Sequence, residues 1–176
     1  MSSLRAFCEQ ESEWLTSLVK ELVACESPSV DRAALEQCAE LLATRLTATG
    51  ASVRRLPAAS TASHILAEWP GNGPSVLLLG HFDTVWPVGQ LARMPLREEQ
   101  GRLFGPGIFD MKAGLALGIL AVRALQHHPP GQVMPRIRML ATSDEEVGSA
   151  TSRAAIERLA RESVAVLVLE PSLPGG

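Results

Sequence analysis

Val76-Leu77-Leu78-Leu79 is an unbroken apolar run. A strand with one wet face alternates apolar and polar residues, so a run without alternation belongs to a strand covered on both sides, as in the sheets of α/β proteins. Related strand patterns recur at 137–141 and 164–169. Between them lie stretches with helical spacing. Leu115, Ile119, Val122 and Leu125 mark one helix ending near His127-His128-Pro129, and about 151–161 another. This alternation predicts an α/β fold around a largely buried, mixed sheet.

The first 70 residues are read in the same way. Phe7, Leu15, Leu18, Leu22 and Val23 predict a single helix from about Leu4 to Cys25, ended by Ser27-Pro28-Ser29. Asp31 caps a second, whose stripe of Leu35, Cys38, Leu41, Leu42 and Leu46 ends before Gly50. Ser52–Leu56 and His64–Trp69 read as paired strands, and Pro70-Gly71-Asn72-Gly73-Pro74 turns the chain into the apolar run. A length of 176 residues with 46% hydrophobic residues suffices for one core. A net charge of -3 gives no electrostatic case for nucleic acid. Arg54-Arg55 and Arg136 with Arg138 read as solvated faces. Cys8, Cys25 and Cys38 form an odd set without CxxC spacing, which disfavours a disulfide framework. The N-terminus leads into a charged amphipathic stretch and no run is long enough to span a bilayer, so no membrane partner is expected and a reducing cytoplasm is the expected setting.

Four polar clusters stand at or just past apolar or Gly-rich runs: His81-Phe82-Asp83, Asp110-Met111-Lys112, Asp144-Glu145-Glu146 and Glu170-Pro171. Strand ends converge on one edge of an α/β sheet, so acids and imidazoles placed there meet in space while distant in sequence. The placement reads as the site of a metallohydrolase. Each cluster also has a plainer account. His81 and Asp83 suit a metal ligand and the carboxylate that orients it, or a loop Asp pairing with a nearby His. Asp110 suits a carboxylate bridging two cations, or the N-cap of the following helix. Glu145 and Glu146 repel one another unless a cation or a proton intervenes, so one can bind metal while the other acts as base, or both belong to a solvated turn. Glu170 ends a run expected to be buried, and either a ligand role or a surface position removes the cost of burying it. His64, which begins a strand, and His127-His128, beside a Pro-Pro-Gly turn, read as surface residues.

With these residues in view, the chain resembles the N-terminal part of the catalytic domain of the M20 zinc peptidases, a family that includes glutamate carboxypeptidase, acetylornithine deacetylase and succinyl-diaminopimelate desuccinylase. GHFDTVWP at 80–87, GRLFGPGIFDMKAG at 101–114, ATSDEEVGS at 141–149 and VLEPS at 168–172 carry the match. GPGIFDMK and Glu170-Pro171 look nearest to the glutamate carboxypeptidase branch. Lys112-Ala113 stands where the family often has Lys-Gly.

The resemblance implies a three-layer zinc-exopeptidase-like domain with a mixed, mostly parallel sheet, C-terminally incomplete over residues 1–176. A lid and dimerisation domain and the returning catalytic segment, with its late His ligand, would be absent, leaving an apolar sheet edge exposed. It implies that His81 and Glu170 bind one zinc, that Asp110 bridges two and that Glu146 binds the other, with Co2+ or Mn2+ as possible substitutes. Glu145 would be the general base and Asp83 would orient His81. The peptide after Asp110 would be cis. The implied activity is hydrolysis of an amide in a small peptide or N-acyl amino acid, carboxypeptidase-like and releasing a residue such as glutamate, in an enzyme that is often a homodimer. Two alternatives stand beside it: a deacylase of N-acetyl or N-succinyl amino acids, and a noncatalytic metal-binding fragment.

Overall fold

Alternate residues of the central strands sort to opposite faces, and each face meets its own helices. In a computed structural model, which describes residues 4–127 and 133–172, the elements run α1 (Leu4–Gln10), α2 (Ser12–Ala24), α3 (Arg32–Ala48), β1 (Ser52–Leu56), β2 (His64–Trp69), β3 (Ser75–His81), β4 (Arg97–Glu99), β5 (Arg102–Phe104), α4 (Ala113–Gln126), β6 (Arg136–Thr142), α5 (Arg153–Arg161) and β7 (Ala165–Val168). His128, the Pro129-Pro130-Gly131 turn and residues 173–176 lie outside the described residues. One sheet has the order β1-β2-β6-β3-β7. β2 is antiparallel to both β1 and β6, while β3 is parallel to both β6 and β7. Four strands therefore point one way and only β2 is reversed, which is the mixed, mostly parallel sheet expected.

Ile65, Ala67 and Trp69 of β2 and Ile137, Met139 and Ala141 of β6 face a layer filled by Leu22 of α2, Leu35 and Leu42 of α3 and Leu115 and Ile119 of α4. Leu66, Leu77 and Leu140 face the other side, against Leu159 and Ile156 of α5. Three layers result. At roughly 25 cal/mol per Å² of apolar surface removed from water, this two-sided burial is the main favourable term holding the strands in place.

Several local expectations are corrected. The first helix is two, broken at Glu11, whose φ of -89° and ψ of 13° leave the helical range. Hydrogen bonds from Glu11 N to Phe7 O and from Leu15 N to Glu11 O still carry across the break, and the Glu11 carboxylate pairs with Arg123 of α4 at 2.6 Å. Between β3 and Asp110, where no strand is named from the sequence, the chain also forms a hairpin of β4 and β5, turning at Gln100 and Gly101 with φ of 51° and 70°, the positive-φ pair of a tight two-residue connection. Arg138 is buried, not solvated: its guanidinium reaches Glu162 at 2.6 Å and Ser75 at 2.9 Å. β7 is an edge strand whose Val166, Leu167 and Val168 are exposed, as is Val164 just before it. The run before Glu170 is therefore not buried here, and the expected apolar edge is present. Among the described residues no helix is long and apolar enough to cross a membrane.

Candidate metal centre

Strand register brings the distant clusters together. β3 pairs with β6 up to His81 opposite Thr142, so the loop after β6 begins beside His81. On the other side Leu79 lies opposite Val168, and Leu169 N donates to Leu79 O at 2.9 Å. Two residues further along each parallel strand, Glu170 reaches His81. Asp110 arrives on an irregular turn before α4, and the next residue, Met111, accepts a hydrogen bond at Sδ from His81 N at 3.2 Å. The Asp110-Met111 peptide is cis, as the resemblance implies.

The imidazole of His81 is 1% exposed. Its Nδ1 lies 3.0 Å from the main-chain carbonyl of Asp83 and 3.4 Å from a carboxylate oxygen of the same residue. A carbonyl can only accept, so Nδ1 carries the proton and Nε2 turns its lone pair toward the acids when the ring is neutral. Nε2 stands 3.0 Å from Asp110, 3.1 Å from Glu170 and 3.8 Å from Glu145. His81, Asp110 and Glu146 offer ligand atoms within 4.8 Å of one another, and so do His81, Glu145 and Glu170. All six residues singled out in the sequence thus meet at one place.

Asp83 differs in detail from the expected arrangement. It lies beyond the end of β3, and its carboxylate does more than face His81. Oδ1 accepts from Glu145 N and Oδ2 from Glu146 N, each at 3.2 Å, while Ser29 Oγ donates to Oδ2 at 2.8 Å. One fully buried carboxylate therefore holds the imidazole and the backbone of both glutamates.

The charges describe what the cluster could hold. Burial opposes a proton on His81, but the Asp83 hydrogen bond and the charges of Asp83 and Glu170 outweigh it and lift the ring to about 9. Burial raises Glu146, and the neighbouring Asp110 adds to it. Burial likewise raises Glu170, with Asp110 and Glu145 adding and His81 opposing. Four carboxylates around one imidazole repel each other, and hard oxygen donors with one imidazole nitrogen are the donor set of a divalent cation site. The residues present fit such an ion.

The sequence pattern of peptidase family M20/M25/M40 matches residues 77–176. The chain belongs to that family. It is 31% identical to carboxypeptidase G2 of Pseudomonas sp. (strain RS-16), over 89% of this chain and 38% of that protein. It is 36% identical to succinyl-diaminopimelate desuccinylase of Leptothrix cholodnii, over 74% of this chain and 35% of that one. Human carnosine dipeptidase 1 shares the fold at a TM-score of 0.76 and 23% identity, with 94% of this chain and 40% of that chain covered. The chain spans well under half the length of these relatives.

Sequence reasoning passed over several supports of the centre. Lys112 is 1% exposed and donates to the carbonyls of Leu22 and Cys25, each at 2.8 Å, at the electronegative C-terminal end of α2. Burial lowers its pKa. This anchor lies two residues from Asp110. Ser29 carries no signal in sequence beyond its place after a proline. His64 is corrected from a surface residue to a buried one, 2% exposed, bonded to the start of the acidic loop.

Proposed function

We propose that residues 1–176 form the N-terminal portion of a metallopeptidase catalytic domain, which hydrolyses an amide bond in a small peptide or N-acyl amino acid. Two groups sharing His81, one with Asp110 and Glu146 and the other with Glu145 and Glu170, each with ligand atoms within 4.8 Å of one another, support this reading. His81 and Glu170 would hold one ion and Glu146 a second, with Asp110 contributing to both; zinc would be the preferred metal, and cobalt or manganese could use the same donors. A bound divalent cation supplies Lewis acidity toward the amide carbonyl and toward water.

The chain's own residues do the rest. Asp83 fixes the ring of His81 so that Nε2 faces Asp110 and Glu170, where it would meet a bound cation. Glu145 stands 3.8 Å from His81 Nε2, where it would take a proton from the attacking water and return it to the leaving amine. Likeness to carboxypeptidase G2 favours a carboxypeptidase that releases a residue such as glutamate. The 36% identity to a desuccinylase supports a second reading, removal of an N-acyl group from an amino acid.

Metal content by elemental analysis, with hydrolysis of a glutamate-terminated dipeptide set beside that of N-succinyl and N-acetyl amino acids, tests both. Glu145→Gln retains the metal and lowers turnover by about 10²-fold or more. Undiminished turnover removes the base role from Glu145, and loss of metal makes it a ligand. A purified chain that takes up no cation overturns the reading.

A further inference from the structure

The loop carrying Glu145 and Glu146 is tied down by a further chain of hydrogen bonds that the proposed chemistry does not use. Ser143 N donates to His64 Nδ1 at 3.2 Å, His64 Nε2 lies 3.1 Å from Thr151 Oγ1, and Thr151 Oγ1 donates to Asp144 Oδ2 at 2.7 Å. The order of donors is fixed. A backbone N–H can only donate, so Nδ1 carries the lone pair and the proton sits on Nε2. That proton goes to the Thr151 hydroxyl, whose own proton goes to the carboxylate. Asp144 Oδ2 also receives Thr151 N at 2.7 Å and Ser152 N at 3.2 Å, and Ser149 N closes on Asp144 O at 2.8 Å.

The base of the loop is fastened to the chain before β2 as well. Thr61 Oγ1 donates to Ser143 O at 2.9 Å and Ser143 Oγ donates to Ala62 O at 2.7 Å. His64, Ser143 and Asp144 are all buried. Glu145 and Glu146 thus have Asp83 holding their amides on one side and this network holding the loop on the other.

We propose that His64, Thr151 and Asp144 are positioning residues: a strap from β2 to the start of α5 that sets where Glu145 and Glu146 stand. The inference rests on the metal-site reading for its chemical consequence, not for the strap itself. Asp144 precedes the two glutamates directly, so rotation of its backbone re-aims both side chains. Thr151 is the joint of the strap, since its hydroxyl both accepts and donates.

Thr151→Val keeps the shape and removes the joint, and Thr151→Ser restores it. Backbone hydrogen exchange of residues 144–149 in the full 176-residue chain, read beside the affinity for Zn2+ or Co2+ alone, decides the matter. Exchange in this segment rises at least 10-fold in Thr151→Val with β3 and β6 unchanged, affinity falls about 10- to 100-fold, the range for partners that orient metal ligands, and Thr151→Ser recovers both. Exchange and affinity equal to the parent's overturn the proposal, as does loosening spread equally over the sheet. Local loosening in a chain whose parent binds no cation supports the strap and overturns the metal-site reading instead.

Discussion

Asp83 does with one residue what metal sites often divide among several. Its carbonyl fixes the tautomer of His81, and its carboxylate gathers the amides of Glu145 and Glu146 and the hydroxyl of Ser29. Asp83→Asn preserves the shape but replaces one acceptor oxygen with an amide nitrogen that donates, so either the Glu145 or the Glu146 N–H faces another donor in a fully buried place. Cation affinity is expected to fall about 10- to 100-fold, measured by competition with a chromogenic chelator. Affinity equal to the parent's would show that the Asp83 carbonyl alone suffices. The six candidate residues that the fold brings together were legible in sequence because each stands at or just past a recognisable run. The wider duty of Asp83 was not, since its partners are backbone amides, present at every position and marked by no residue type. His64 was misread for a related reason: a histidine opening a strand looks the same in sequence whether Ser143 lies over it or water does.

At the scale of elements, the approach of β7 to α4 delivers Glu170. Gly114 sits in the first turn of α4, where a Cβ would stand 2.1 Å from the Leu169 carbonyl oxygen. A helical glycine costs about 1 kcal/mol against alanine in propensity, and here that cost permits close passage of the strand end. Gly114→Ala therefore does not stabilise the helix. It displaces Leu169, and Glu170 with it, with an expected loss of about 1–3 kcal/mol from overpacking together with weakened cation binding. Thermal denaturation and cation titration read the two effects, and a raised melting temperature with unchanged binding would contradict the account. The major helices were readable because burial imposes periodicity on their residues, β3 because a strand covered on both faces is apolar without alternation, and β7, exposed throughout, from its apolar run alone. The hairpin at 97–104 was not, because its strands are short and mostly exposed and its turn uses Gln-Gly where Asn-Gly would have been a signal. The break at Glu11 also escaped, since apolar spacing continues across it and only the Arg123 ion pair, 112 residues away, marks the place.

For the molecule as a whole, stability depends on pH through groups that the fold holds in one protonation state, and His64 is such a group. Burial, the largest influence, lowers its pKa from the ordinary 6.5, and the charges of Asp144 and Asp83 and the hydrogen bond with Thr151 only partly oppose this. The unfolded chain therefore takes up a proton at His64 before the folded chain does. As pH falls from above 6.5 toward the lower folded value, the unfolded state binds more protons and stability declines; below that value the loss levels off. Protonation also turns Nδ1 into a donor facing the Ser143 N–H, so the same step strains the strap over the acidic loop. Many carboxylates titrate at lower pH, and a difference between two proteins isolates the histidine. The stability of the parent minus that of His64→Gln, from urea denaturation at a series of pH values, is expected to be level above about pH 7.5, one unit past the ordinary histidine value, and to fall through the window just below 6.5. A difference that stays flat there would mean that His64 titrates alike in the folded and unfolded chains, and one that rises as pH falls would mean that the folded chain holds the imidazolium, whose Nδ1 no longer accepts from Ser143 N.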